Sequence, residues 1–455
     1  MKSELSQHPA SYRDPAGFIF TKDKICYRQV NQGYKDNYDL FMKSGLYHKL
    51  VSKGLIVSHA EVNSVIFSEN NWYKTLLPDQ IPFISYAYEW CFSQLRSAAL
   101  LTLSLQKIAL NYGMVLKDAT HFNVQYIGST PIFIDTLSFD KYETSLPWVA
   151  YTQFCECFLY PLFIEHYTGM PVHKTLLAYP DGIPVSIVNS LLPLRSRFNF
   201  GVGLHVILPS KISRRQSGRE IPIKFNEQKM LRLLNNLQSI ILSLRPVQKK
   251  GVWGDYYERT VLKEGYLEEK EKIFDEMLNK ITFKKVLDIG ANDGYFSKII
   301  SKRAEQIIAI DSEYFCIDKL FRELETESKN ILPLCIDFAS PSPDTGFSGN
   351  ERISFLRRGN YDLVIALAVI HHLVVAENIP LPLLARSLHT LTKNLIIEFV
   401  PFDDEKVDLI AANKQEIVVQ LVKVNFEDIF TRYFSIIDSV TVGSTKRIIY
   451  LMIAK

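Results

Sequence analysis

The pattern of apolar and polar positions divides the chain into two regions. Between residues 284 and 400 five short, mainly apolar runs recur: Val286–Ile289, Gln306–Ile310, Ile331–Ile336, Tyr361–Ile370 and Asn394–Val400. Segments of helical spacing separate them, the first marked by Phe296, Ile299 and Ile300. Apolar runs of this length suit strands buried on both faces of a parallel sheet, and their alternation with helices predicts a doubly wound α/β fold. Two further strands, Phe434–Val442 and Arg447–Ala454, are placed to form an antiparallel hairpin. Val252–Leu278, ahead of the sheet, has helical spacing and an aromatic cluster of Trp253, Tyr256 and Tyr257, placed to cover a ligand or to pack between domains.

The first region is mixed. Gly17–Val30 predicts a hairpin around Thr21–Lys24, residues 34–53 a helix, and Leu95–Asn111 a strongly apolar helix that must be buried. Val124–Ile127 and Pro131–Ile134 read as short strands joined by a Gly-Ser-Thr turn. Polar, basic punctuation at Ser210–Glu220 and Arg245–Gly254 sets the expected boundary near residue 250, giving an α+β domain over 1–250 and an α/β domain over 251–455.

Composition agrees with two domains. The chain has 455 residues, 47% hydrophobic and 22% charged, an ordinary globular balance. Its net charge of +3 hides an asymmetry: residues 1–250 carry 27 Lys and Arg against 18 Asp and Glu, and the remainder carries 25 against 31. The first residues are charged and lack the apolar core of a signal sequence, and no stretch approaches the ~18 apolar residues of a membrane span, so a cytoplasmic location is expected. The six cysteines, Cys26, Cys91, Cys155, Cys157, Cys316 and Cys335, form no CxxC pair and read as reduced core residues.

The most informative segment is KKVLDIGANDGYFSKIISKR from Lys284. It reads as a strand, a glycine turn and a helix. Glycine at 290 and 294 lets backbone approach a ligand where a Cβ would collide, and N–H groups exposed at the helix start favour a polar or anionic group. The spacing is Gly-x-Asn-x-Gly, with Asp288 two residues ahead, unlike the Gly-x-Gly-x-x-Gly of dinucleotide binders. An acid there suits an ammonium group. Asp311 ends the second strand, 23 residues beyond Asp288, and is placed to accept from both hydroxyls of a ribose. Asp337 and Phe338 end the third strand and suit an adenine amine and its face. The fourth runs into His371 and His372, and the fifth carries Glu398 near its end. These are the carboxyl ends of strands, where open α/β sheets bind ligands.

The ordered set VLDIGANDGYF, AIDS, CIDF and YDLVIALAVIHHL, with the closing hairpin, resembles the class I S-adenosylmethionine-dependent methyltransferases over the whole second half. The resemblance implies a Rossmann-like, seven-stranded sheet with an antiparallel last strand and S-adenosyl-L-methionine as cofactor. It puts Asp288, Gly290, Asn292 and Gly294 around the methionine part, Asp311 on the ribose, and Asp337 with Phe338 at the adenine. Methyl transfer from a sulfonium is an in-line displacement that needs alignment and, for some acceptors, a base. His371 and His372 are the candidate bases, with Glu398 as a base or acceptor-orienting group. No Asn-Pro-Pro-Tyr, Asp-Pro-Pro-Tyr or Pro-Cys segment follows the fourth strand, and this half is acidic. Both features favour a small molecule, a glycan or a lipid-linked group over nucleic acid as acceptor.

In the first half, GMVLKDATHFNVQYIGSTPIFIDTLSF over 113–139 resembles the catalytic loop and metal-binding aspartate of the protein-kinase and aminoglycoside-kinase superfamily. By that resemblance Asp118 contacts an acceptor hydroxyl, and Asn123 and Asp135 hold magnesium with ATP. Arg28 stands where a strand lysine is expected, and no glycine-rich phosphate loop follows Gly17. The residues also suit turn capping alone. The two-part layout resembles bacterial nodulation protein NoeA-like methyltransferases. Three readings follow: a methyltransferase with an acceptor-side domain, a bifunctional or pseudo-kinase/methyltransferase, and a cofactor-binding interaction module without turnover.

Overall fold

The computed structural model describes residues 5–68, 70–144, 146–213, 226–247, 265–327, 330–404, 407 and 421–455. Its chain divides into two compact units: Met1–Lys249 with Asp344–Ile353, and Lys250–Pro343 with Ser354–Lys455. The aromatic cluster Trp253, Tyr256 and Tyr257 lies outside the described residues.

Unit 1 begins with an antiparallel sheet of β1 (Leu5–Gln7), β2 (Gly17–Lys22), β3 (Ile25–Asn31), β4 (His59–Val62) and β5 (Trp72–Pro78), in the order β1-β2-β3-β5-β4. Asp23 and Lys24 both take positive φ, 52° and 68°, which is the backbone a two-residue hairpin turn needs to match strand twist. The helical stretch expected over 34–53 is broken. Helix α1 (Lys35–Lys43) stops before Gly45, whose φ of 88° ends one helix and starts the next at Leu46. Helix α2 (Phe92–Leu110) is buried on most of its surface, as its continuous apolar sequence requires. Two small two-stranded sheets follow, β6 (Met114–Leu116) with β9 (Phe139–Lys141) and, between them in sequence, the hairpin β7 (Val124–Ile127) with β8 (Thr130–Phe133). Between Tyr151 and Ser243 the described residues are mainly helical, including α3 (Val185–Leu191).

Residues 344–353 join unit 1 although they are flanked in sequence by unit 2. Arg13 donates to Glu351 at 2.7 Å, Arg352 pairs with Asp181 at 2.6 Å, and the Arg352 guanidinium lies 4.0 Å from the Phe122 ring centroid. A simple cut near residue 250 therefore misses this excursion, because the partners that hold it lie more than 150 residues away in sequence.

Unit 2 opens with helix α4 (Tyr266–Leu278) and a seven-stranded sheet: β10 (Lys285–Ile289), β11 (Gln306–Asp311), β12 (Ile331–Cys335), β13 (Tyr361–Ala366), β14 (Thr392–Phe399), β15 (Phe434–Thr441) and β16 (Ile448–Ala454). Their order is β12-β11-β10-β13-β14-β16-β15. The first five are parallel, and β16 runs antiparallel between β14 and β15. This is the Rossmann-like sheet of the class I methyltransferases, closed by the expected hairpin. Val286, Leu287, Ile307, Ile308, Leu363, Val364, Leu395 and Ile396 are fully buried, so both faces of the parallel strands are covered. Strand β13 ends four residues before the apolar run Tyr361–Ile370 does. Leu367, Ala368 and Val369 leave the sheet to line a cavity, and apolarity alone cannot distinguish that role from a strand.

None of the six cysteines forms a disulfide, and all but Cys26 are buried. Among the described residues no helix is long and apolar enough to cross a membrane.

Candidate functional site

The site of unit 2 is built where β10 stops. Gly290 leaves the strand with φ 73° and, with Ala291, donates backbone N–H bonds to the Ile310 carbonyl at 2.9 and 3.0 Å. Asn292 and Gly294 also take positive φ, 50° and 75°, before helix α5 (Tyr295–Ile300) begins. A Cβ on Gly290 would sit 3.0 Å from Val369 Cγ2, and one on Gly294 would sit 2.5 Å from Leu320 Cδ1. The turn is thus packed from behind, and only glycine fits at 294 without displacing Leu320.

In front of it lies a cavity of about 330 Å³ at the carboxyl ends of the parallel strands. Asp288, Gly290, Asn292, Asp311, Asp337, Phe338 and His372 all line it. Asp311 is fixed by two backbone donors, Asn292 N–H to Oδ2 and Glu313 N–H to Oδ1, each at 2.8 Å. Burial raises its pKa against the pull of those donors. Asp337 accepts from Ala339 N–H at 2.9 Å. Asp288 accepts from the Ser297 hydroxyl at 2.6 Å. Burial pushes its carboxyl up to about 6, the Asp311 charge adds to this, and Ser297 and Lys270 oppose it.

Three candidates stand elsewhere. Gly294 is outside the lining and serves as the start of α5. His371 is buried outside the lining, its ring 4.2 Å from that of His372, so of the two adjacent histidines only His372 faces the cavity. Glu398 is also outside the lining, which corrects its expected place beside an acceptor. Its carboxylate is fully buried and accepts from Tyr266 OH at 2.7 Å and Lys270 Nζ at 2.5 Å, with Arg447 at 3.7 Å. Burial works against its ionisation, but Lys270 and Arg447 hold it below the ordinary carboxylate range. Arg447 in turn makes a two-pronged pair with Asp404, both bonds 2.8 Å. The reason is tertiary: α4 brings Tyr266 and Lys270 onto Glu398, and Arg447, just before β16, lies beside it.

Lys270 is a lining residue the sequence reading did not single out. It sits on α4, with its ammonium 5.1 Å from the Phe296 ring centroid. A basic residue inside a helix of mixed charge carries no sequence signal that it will be buried. Ala368, another lining residue, takes φ 54°, and its sequence neighbourhood shows only an apolar run.

In unit 1 Asn123 donates to Ser138 Oγ at 3.1 Å. Asp135 is held by the Arg28 guanidinium, the Ser138 hydroxyl and Leu137 N–H. Burial and the Asp135 charge raise the pKa of Asp118. Arg28, on β3, is thus the charged partner of Asp135 in this structure. Among the described residues no three His, Cys, Asp or Glu side chains come together in a group able to hold a metal ion.

No family model matches the chain. Among solved structures, the N-methyltransferase NodS from Bradyrhizobium japonicum WM9 aligns with a TM-score of 0.32 and 12% identity, over 42% of this chain and 98% of NodS. Magnesium protoporphyrin IX methyltransferase (ChlM) from Synechocystis PCC 6803, with bound SAH, aligns with a TM-score of 0.32 and 16% identity, over 45% of this chain and 92% of ChlM. A curated relative spans both units: nodulation protein NoeA of Rhizobium meliloti (strain 1021) is 30% identical over 451 residues, covering 97% of this chain and 94% of NoeA. At that identity and coverage, the chain belongs to the NoeA family.

Proposed function

We propose that the chain is an S-adenosylmethionine-dependent methyltransferase, that its cofactor occupies the cavity of unit 2, and that its acceptor is a small molecule, a glycan or a lipid-linked group. The observation that carries this reading is the convergence on one cavity of Asp288, the Gly290–Asn292 turn, Asp311, and Asp337 with Phe338. Each supplies what one part of the cofactor requires. Asp288 would hold the ammonium, Asp311 the ribose hydroxyls, and Asp337 with the Phe338 ring the adenine amine and face. The cofactor itself supplies an activated methyl group on a sulfonium. The chain's task is then to orient the acceptor, exclude water and, where the acceptor carries a proton, remove it. His372 is the histidine in the lining suited to that last step. The relative's name sets it in nodulation, and we extend that setting to this chain.

The test is calorimetry with S-adenosylhomocysteine. Asp311→Ala removes a charged acceptor of two hydroxyls, each bond worth roughly 1.5–3 kcal/mol, so binding should weaken on the order of a hundredfold or more. Unchanged affinity would reject the assignment. Transfer of labelled methyl from the cofactor to an extract fraction separates an enzyme from a binding module, since a module would leave every fraction unlabelled.

A pH dependence follows from Asp288. In the folded chain it keeps its proton up to about pH 6, against 3.8 when unfolded, so the folded state binds more protons in that window and stability falls as pH rises through it. Ammonium binding needs the ionised form. Affinity for S-adenosylhomocysteine should therefore climb from roughly pH 5, approaching tenfold per unit, and level off above about 6 to 7. Asp288→Asn should bind weakly with a flat profile; a wild-type profile already flat over this range would refute the role of Asp288.

A further inference from the structure

Unit 1 carries a surface that the cofactor site does not explain. Residues 182–219 contain six Lys and Arg and no Asp or Glu. Within the described part of this stretch, α3 and a turn over Leu194–Phe198 both pack on residues 203–207, and the turn also packs on the short helix Phe200–Val202. The outward side chains are apolar: Phe198 is 94% exposed, Phe200 76% and Leu194 71%. Leu191 and Leu208, on the adjoining helices, are also exposed. Arg195, Arg197 and Lys211 are exposed among them. Arg195 donates to the Tyr167 carbonyl at 3.0 Å, which ties the turn to the body of the unit.

Single exposed apolar residues are ordinary, but two phenyl rings and three leucines within eighteen residues, with Arg195 and Arg197 the only Lys, Arg, Asp or Glu among them, form a patch. The chemistry that complements it is an apolar layer directly beneath a layer of negative charge. A bilayer with anionic headgroups has that order: rings and leucines enter the boundary with the acyl chains while guanidinium and ammonium groups remain at the phosphates. We propose that this face docks peripherally on an anionic phospholipid bilayer, with Leu194, Phe198 and Phe200 inserted and Arg195, Arg197 and Lys211 at the phosphates. The proposal is independent of the methyltransferase reading, because it concerns unit 1 alone.

The experiment is cosedimentation of the full chain with vesicles of phosphatidylcholine alone, or with phosphatidylglycerol in equal parts, at low salt. Binding is expected only to the mixed vesicles. Phe198→Ser with Phe200→Ser should lower the partition coefficient on the order of tenfold or more, and Arg195→Gln with Arg197→Gln should remove most of the preference for phosphatidylglycerol. Phe198 and Phe200 are exposed, so the phenylalanine variant should melt like the wild type; Arg195→Gln loses the bond to the Tyr167 carbonyl, and melting curves check that both variants remain folded. Wild-type protein left in the supernatant with the mixed vesicles overturns the proposal, as does undiminished binding by the phenylalanine variant. Sedimentation velocity tests the competing occupant: a dimer that the phenylalanine variant loses would assign the patch to a second copy and overturn the bilayer.

Discussion

Glu398→Ala is expected to destabilise the protein by about 3–5 kcal/mol, because it leaves the Lys270 ammonium buried without its partner. Lys270 and Glu398 are both almost wholly buried, and Arg447 adds a second cation at 3.7 Å. Asp404 still neutralises Arg447, so the uncompensated charge is that of Lys270. Replacing both members by apolar residues of similar size, Lys270→Met with Glu398→Leu, should recover much of the loss, since the attraction within a buried pair roughly offsets the cost of desolvating it. Chemical denaturation of the single and double variants measures this. A single variant as stable as the wild type would show that the network does not hold α4 to the sheet. Glu398 does not line the cavity, so the fraction of Glu398→Ala that remains folded should still bind S-adenosylhomocysteine.

Gly290→Val should abolish measurable binding of S-adenosylhomocysteine. The residue has φ 73°, where a β-branched side chain is strained, and its Cβ would press on Val369 Cγ2 at 3.0 Å. Relief requires movement of the turn or of the Leu367–Val369 segment, and both line the cavity. A loss on the order of a hundredfold is expected, with Gly290→Ala intermediate. Calorimetry reads the affinity, and circular dichroism checks that the sheet persists. Full affinity in the valine variant would place the ligand away from this turn.

The cofactor-side candidates could be read from sequence because they obey a local rule. In a doubly wound sheet the last residues of a buried parallel strand and those just after it emerge at the carboxyl edge, so locating the ends of the apolar runs at Ile289, Ile310 and Ile336 suffices to place Asp288, Asp311 and Asp337 there. Glycine at 290 and 294 is a local requirement of the same kind. The same rule places His371 and His372 at this edge, and the short helical turn after β13 decides which of the two rings faces the cavity. Glu398 satisfied the rule in position and failed it in direction. Its neighbours Tyr266 and Lys270 come from 128 or more residues earlier, and Arg447 from the residue just before β16.

By itself the sequence determined the parallel sheet with its closing hairpin and the positions of the acids and glycines at the strand ends, because periodicity and turn chemistry act over a few residues. Tertiary structure alone decided that Lys270 joins the cavity, that Glu398 is a buried counter-ion, that Arg28 occupies Asp135, and that residues 344–353 pack into unit 1. Each of these is a pairing of charges distant in the chain. Neither partner's local pattern encodes the pairing, and only burial makes it obligatory, since a buried charge must find its opposite.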